Sequence, residues 1–564
     1  MAEQTCALDN KTIEKIQLLS SHIARSRPIK AVYIAADYAL NTANSNQTHN
    51  AVVVIEGFQP KLMNYTKIID KTCVVLVAVD MWVFERDVER GFLGEAVAYG
   101  LLFPYTPLKG DNYLQEQEVK IKKRLITELM ENLVLAYPEL SHQLHIKPEY
   151  FMYETMLSRA RLFLPMIFNV LKFMQKNEKT SENTVLNGYL KALKALESEG
   201  KIRFCDGYVK LSSGFIKQTY TPKTRMATIS RMVPRAFFSP ILGAWFKMST
   251  LFFQSKEILQ RVKSTTTFDS TLLNSAKDPE QYVFIPTASG LVPLASQTSI
   301  EAGVKEILAK NKNTSISIRR IGGILNDVYL AKAKVNSEET KIVVKRFKEW
   351  SSFKWFPLTI WGLGTKTFTV SSLRRMEKEC SINQHLYSKG LKVPKILHIS
   401  PRERLIFMEY VEGENTREII KRLTDAKEPS KMKKELKIIQ RIGKKMAKIH
   451  ASGITLGDTK PENIMIGKNT EIIFMDFEQA SRGGDKVWDI AEFLYYAGHD
   501  MPPLVEPSTV ELFAKTFITG YLEAGGKAED VRKAAKPKYT KVFSLFTLPH
   551  IMLATSKICR NTKP

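Results

Sequence analysis

The sequence predicts an α+β, multi-domain protein, and three observations carry that expectation. At 564 residues the chain is long enough for roughly two to four domains, each with its own core. Short β-branched runs such as Ala51–Ile55 and Thr72–Val79 alternate with helical patterns such as Gln115–Tyr137, whose apolar residues recur at three and four. A stretch rich in Ser, Thr, Asn and Lys over 263–314 separates the two halves and reads as a linker. The expected divisions are therefore an α/β domain over 1–145, a helical region ending in a helix and hairpin over 146–262, that linker, and a carboxy-terminal domain over 315–564.

Hydrophobic content of 44% and aromatic content of 10% are those of a folded, water-soluble chain. The net charge of +25 favours acidic partners: nucleic acid, phosphorylated ligands or an anionic membrane surface. Five scattered cysteines with no CxxC pair suggest neither a disulfide framework nor a zinc site, and fit a reducing compartment. The start of the chain has no signal-peptide h-region. The longest apolar stretches, Leu162–Leu171 and Ala236–Phe246, are too short to span a bilayer. No transmembrane segment and a cytoplasmic location are expected. The aromatic and basic run Arg231–Phe253 is read as buried between the halves rather than laid on a membrane surface.

In the first half, the strands and the later segments GFLGEA and PYTPLKG look like a nucleotidyltransferase fold. The Gly-Ser turn and paired metal-binding acids of such an enzyme are not found near Ala51, so the resemblance implies an inactive domain or one recruited for binding. Further on, Ser181–Gly200 forms a helix with Leu186, Leu190, Leu193 and Leu196 on its apolar face, ended by Gly200. The segment KIRFCDGYVKL then makes a hairpin around Asp206–Gly207. Helix and hairpin together look like the end of a winged helix-turn-helix. Its basic residues Lys191, Lys194, Lys201 and Arg203 serve either nucleic-acid contact or the rim of a packing module.

The carboxy-terminal half carries a constellation for phosphoryl transfer. Asp458 opens GDTKPEN, Asn463 follows five residues later, and Asp476 lies eighteen residues after Asp458. Transfer from ATP needs positioning, metal ions and an acceptor for the hydroxyl proton. Asp458 suits the last task, and Asn463 and Asp476 suit two Mg²⁺ ions. Upstream, Ser317–Lys332 reads as strand, Gly322–Gly323 turn and strand, able to bring N–H groups near phosphate oxygens. Lys345 lies on a third strand, where it would neutralise the non-transferred phosphates. A helix over Leu373–Leu391 offers Glu377 or Glu379 to fix that lysine, and Glu379 is preferred because its distance to the Val393–Pro394 pair resembles that in known kinases. The backbone at Glu409, Tyr410 and Val411 is placed to hydrogen-bond an adenine between two lobes. Lys460, two residues past Asp458, reaches the moving phosphoryl group, and Asp489 accepts N–H groups of the catalytic loop.

Those pieces, in that order, resemble the protein-kinase-like superfamily over about 315–500. MEYVEG, IHASGI and the GD loop are similar to atypical archaeal kinases, namely the RIO group and the kinase of the KEOPS tRNA-modification complex. DTKPEN is similar to the DLKPEN of Ser/Thr kinases. The resemblance implies a two-lobed protein-kinase-like domain, ATP with Mg²⁺ or Mn²⁺, and a protein hydroxyl as acceptor. Leu456–Gly457 departs from the His-Arg of eukaryotic kinases, so switching through a phosphorylated activation loop is not expected. Twelve residues separate Asp476 from Asp489, too few for a peptide-docking platform. That brevity, with DFE followed by DIA, is shared with aminoglycoside- and choline-type phosphotransferases, so a small-molecule phosphotransferase is one alternative. A nucleic-acid-associated ATP-binding scaffold is another. Between Lys345 and the helix, the tryptophan-rich segment 350–369 either packs on the upper lobe or docks a partner.

Overall fold

Valine-rich runs flanked by helical patterns ask for a sheet covered on both faces, and the first half supplies one. The computed structural model describes residues 10–35, 48–69, 72–162, 179–220, 278–308, 315–322, 326–335, 338–349, 369–426, 428–544 and 546–563. The chain divides into two compact units, Met1–Phe284 and Ile285–Pro564.

In the amino-terminal unit the five strands lie in the order Leu62–Ile69, Thr72–Asp80, Thr48–Ile55, Ile29–Ala35, Tyr105–Lys109. Thr48–Ile55 runs parallel to Thr72–Asp80, and the other neighbours for which register is defined are antiparallel. Alternate residues Val32, Ile34, Val53, Ile55, Val74 and Leu76 form one apolar face, closed by Ile16 and Ala24 of helix Asn10–Ala24. After the last parallel strand, Asp80 caps helix Met81–Arg90 by accepting the Trp82 N–H at 3.2 Å. Fully buried Asp87 on that helix gathers four backbone N–H groups, from Leu93 and Glu95 at 2.8 and 3.0 Å and from Val97 and Ala98 at 3.1 and 3.2 Å. The GFLGEA segment is thus a loop wound around one carboxylate. Burial pushes the Asp87 carboxyl up to about 6, with Glu95 adding to the effect and the N–H groups opposing it.

Helix Lys179–Ser198 leads into the hairpin Ile202–Cys205 and Tyr208–Leu211. Asp206 and Gly207 both have positive φ, 51° and 79°, the geometry a two-residue hairpin turn demands. The buried face of the helix is Val185, Tyr189, Ala192, Leu193 and Leu196, with Leu186 and Leu190 at its half-buried edge. The face therefore keeps Leu193 and Leu196 of the expected leucine stripe but turns toward Val185, Tyr189 and Ala192 in place of Leu186 and Leu190. Tyr208–Leu211 continues into a sheet with His145–Ile146. The run Arg231–Phe253 lies outside the described residues.

The linker reading is corrected for 278–308. This stretch contains strands Val283–Thr287 and Gly290–Pro293 and helix Ile300–Leu308. Ile300, Val304 and Leu308 recur every four residues, and Val304 and Leu308 pack with Val344, Leu405 and Phe407 in the core of the carboxy-terminal unit. Gly303 permits that seat, since a Cβ there would lie 2.3 Å from the Phe407 ring.

In the carboxy-terminal unit an antiparallel sheet has the order Ser315–Gly322, Asn326–Val335, Glu338–Phe347, Leu405–Glu409, Ile396–Ser400. Helix Ser372–Ser388 follows the third strand in sequence. The rest is mainly helical, around an apolar core that includes Ile442, Met446, Phe493, Phe517 and Tyr521. Helices Pro429–Ala451 and Pro507–Glu523 touch backbone to backbone. A Cβ on Gly443 would lie 2.2 Å from the Phe517 carbonyl oxygen, and one on Gly520 would lie 2.0 Å from that of Gln440.

Candidate active site

Lys345 is fixed by its strand, which pairs Val328 opposite it on one side and Ile406 on the other. Its ammonium lies 2.7 Å from Asp476 Oδ1, 3.3 Å from Glu379 Oε2 and 3.3 Å from Glu478 Oε2. Residues 131 positions apart in the chain therefore meet around one charge. Glu379 is the partner of this lysine, and Glu377 pairs instead with Arg374 at 3.3 Å. Burial pulls the lysine's pKa down, but Asp476, Glu379 and Glu478 outweigh it, and the net direction is upward. The same burial pushes the Glu379 carboxyl up to about 7, against the pull of Lys345. Asp476 moves the other way: burial is exceeded by Lys345 and Lys460, and its pKa is lowered.

The catalytic-loop residues follow helix Pro429–Ala451 and the short strand Ile454–Thr455, which pairs with Ser481–Arg482. Gly457 has φ 74°, a left-handed position that turns the chain just before Asp458. Asp489, fully buried on helix Lys486–Ala497, accepts the N–H groups of Leu456 and Gly457 at 2.6 and 2.7 Å. It also bonds His450 Nε2 at 2.9 Å, and His450 Nδ1 meets the Tyr521 hydroxyl at 2.8 Å. Three residues on, Glu492 accepts the Thr459 N–H at 2.7 Å and the Trp488 indole N–H at 3.2 Å. Two acids one turn apart thus clamp the loop on both sides of Asp458.

Asp458 is ion-paired within its own loop. Its Oδ1 is buried, aligned to no hydrogen-bond donor, and 3.1 Å from Lys460 Nζ. That contact is one of charge rather than of hydrogen-bond geometry. For Lys460, burial lowers the pKa and Asp458 raises it, with a net upward shift that keeps the ammonium charged. Asn463 and Asp476 are brought side by side because strands Ile464–Ile466 and Ile472–Phe474 pair and the Met475 N–H donates to the Asn463 carbonyl at 2.9 Å. Asp476 has φ 63°, uncommon for a residue with a side chain and concentrated at functional sites. An amide oxygen and a carboxylate are hard donors, suited to Mg²⁺ or Mn²⁺ that completes its shell with phosphate and water oxygens.

The remaining expected residues are less engaged. Glu409 ends its strand with its N–H donated to the Lys395 carbonyl at 2.9 Å, and Tyr410 and Val411 after it are half-buried. Gly322 is exposed, with open space around its Cα. Gly323 lies outside the described residues, as does 350–368 of the tryptophan-rich segment. Sequence reading missed Glu478, Arg375, Asn326 and Glu492, all buried in this site. Only Glu492, at three residues from Asp489 on one helix face, carried a spacing signal.

With this geometry in place, the comparisons with known proteins are informative. A family description of the protein kinase domain matches residues 363–495. The chain is 27% identical over 164 residues to the KEOPS complex subunit Bud32 of Pyrococcus abyssi, covering 28% of this chain and 69% of that protein. It is 28% identical over 162 residues to the "Probable serine/threonine-protein kinase BUD32 homolog" of Archaeoglobus fulgidus, covering 29% of this chain and 73% of that protein. An EKC/KEOPS complex subunit of Schizosaccharomyces pombe is 29% identical over 106 residues, 18% of this chain and 43% of the relative. Over 363–495 the carboxy-terminal region thus matches the protein kinase domain, and it resembles KEOPS complex subunits and a probable serine/threonine-protein kinase. Among the described residues, no helix is long and apolar enough to cross a membrane.

Proposed function

We propose that this chain is a cytoplasmic, ATP-dependent atypical kinase that phosphorylates a Ser or Thr hydroxyl of a protein, with Asp458, Lys460, Asn463, Asp476, Lys345 and Glu379 as its working residues. The observation that carries the reading is the meeting of Lys345 with Asp476 at 2.7 Å and with Glu379 at 3.3 Å, beside a loop whose Asp458 holds an unaligned oxygen.

Bound between the lobes, ATP with Mg²⁺ or Mn²⁺ supplies the phosphoryl group and neutralises its charge. Lys345, steadied by Glu379, holds the non-transferred phosphates. Asn463 and Asp476 hold metal. Asp458 orients the acceptor hydroxyl and takes its proton, and Lys460 offsets charge on the moving group. The carbonyl of Glu409 and the backbone at Val411 hold the adenine, and Gly322–Gly323 approaches the phosphates.

The amino-terminal unit is read as an α/β domain recruited for binding, followed by a winged-helix-like module. Exposed Lys191, Lys194 and Arg203 favour contact with an acidic partner, whereas Lys201 is occupied by Glu199 at 2.9 Å. Nucleic acid is the partner such a surface suits, and the names of the relatives make membership of a multi-protein complex part of the proposal.

A second reading, phosphorylation of a small molecule, draws on the short segment after Asp476, which is tied down where Ser481–Arg482 pairs with Ile454–Thr455. Incubating the purified chain with labelled ATP, Mg²⁺ or Mn²⁺ and cell extract separates the readings. Label in protein that vanishes with Asp458→Ala supports the kinase proposed here. Label in small metabolites supports the second reading, and no label at all overturns both.

A further inference from the structure

Resting on the kinase reading, we propose that Glu478 and Arg375 form a latch that pins the Asp476 loop to the upper lobe, making both of them positioning residues for the metal-binding carboxylate. Arg375 is fully buried at the start of helix Ser372–Ser388. Its Nη1 reaches Asn326 Oδ1 at 2.5 Å and Glu478 Oε2 at 3.4 Å, its Nε donates to the Val370 carbonyl at 3.3 Å, and its Nη2 donates to the Lys348 carbonyl. Glu478 Oε2 is met in turn by Asn326 Nδ2 at 2.7 Å and Lys345 Nζ at 3.3 Å. One guanidinium therefore joins the second strand of the sheet, the exit of the lysine strand, the entry of the helix and the loop after Asp476.

The loop is tied residue by residue. The Phe477 N–H donates to Glu379 Oε2 at 2.8 Å, and Gln479 Oε1 accepts the Thr369 N–H at 2.9 Å. Between these two bonds stands Glu478, the charged member. Asp476 itself sits at φ 63°, a conformation that persists only when its surroundings over-determine it. A glycine in place of Glu478 would have no side chain to hold and would leave Arg375 buried without this partner. Glu478 is thus the residue that fixes the loop carrying the Asp476 carboxylate.

The test uses the full chain and two readouts. In Glu478→Gln, hydrogen exchange at the Phe477 amide is expected to accelerate, while helix Lys486–Ala497 keeps its protection. The Mg²⁺ concentration for half-maximal binding of a fluorescent ADP analogue is expected to rise about tenfold, the scale of losing an outer-shell partner. Arg375→Met alone leaves Glu478 as a buried charge without this partner and is expected to be worse than Arg375→Met with Glu478→Met. Unchanged exchange at Phe477 together with an unchanged Mg²⁺ requirement in Glu478→Gln overturns the latch. Should the double variant be no better than Arg375→Met, the pairing is overturned as well. A wild-type chain that binds no nucleotide sinks the kinase reading instead, and the exchange experiment then decides the latch by itself.

Discussion

Asp87 in the amino-terminal unit and Asp489 in the carboxy-terminal unit do the same mechanical work. Each is fully buried on a helix and each gathers N–H groups of a neighbouring loop, four for Asp87 and two, with a histidine, for Asp489. The loops they hold differ in what they leave over. In the first, Glu95 is almost fully buried and bridged to Arg124 at 2.8 Å, so every acid of that loop is occupied by structure. In the second, Asp458 remains partly exposed with an oxygen aligned to no donor. A carboxylate that organises backbone is a structural device, and chemistry enters where the organised loop presents a second acid whose bonding is incomplete.

Substitutions sharpen that contrast, taken here in falling order of effect on transfer. Asp458→Ala is expected to lower phosphoryl transfer by about 10²–10⁴-fold while nucleotide affinity stays near wild type, measured by single-turnover labelling and equilibrium binding. Asp489→Asn keeps the loop's own residues but replaces an acceptor with a donor, and misplacement of Asp458 by about 1 Å is worth roughly a hundredfold in rate. The pH dependence comes next. Glu379 must be ionised to steady Lys345, so kcat/KM for ATP is expected to rise with a midpoint near pH 7, and Glu379→Gln to flatten that limb at a low value. The sign for stability is opposite. Because the folded state holds that proton more tightly than the unfolded chain, whose value is 4.5, this contribution is full below pH 4.5 and lost as pH rises through 7. Asp87→Asn closes the series: it is expected to cost the amino-terminal unit about 1–3 kcal/mol in thermal unfolding yet to change transfer less than about twofold. A collapse of transfer in that variant would break the comparison.

Much of the site was legible because phosphate chemistry restricts residue type and order. Lys345, Asp458, Asn463, Asp476 and Asp489 could be read from short motifs, and the preference for Glu379 over Glu377 agrees with the observed ion pair. What escaped was the buried charge behind the motifs. Arg375, Asn326 and Glu478 sit on elements read correctly, but no local pattern distinguishes an arginine on a helix that faces inward from one that faces water. Helix boundaries failed for a related reason. Pro429–Ala451 begins seven residues before Leu436, where its apolar recurrence sets in, since its first two turns are rich in lysine, although Pro429 at the first helical position marks the start. The stretch 278–308 was read as linker because its polar composition outweighed one nine-residue apolar pattern.

The glycine pair at 443 and 520 works as a spacing gauge for the enzyme. Seven positions beyond Gly443 on one helix lies His450, and directly after Gly520 on the other lies Tyr521, and these two meet at 2.8 Å in the relay that ends on Asp489. A single methyl group inserted at that crossing would wedge the two axes apart, and the displacement would reach, through imidazole and carboxylate, the loop that carries Asp458. The position of that loop therefore depends on a place where two bare backbones touch.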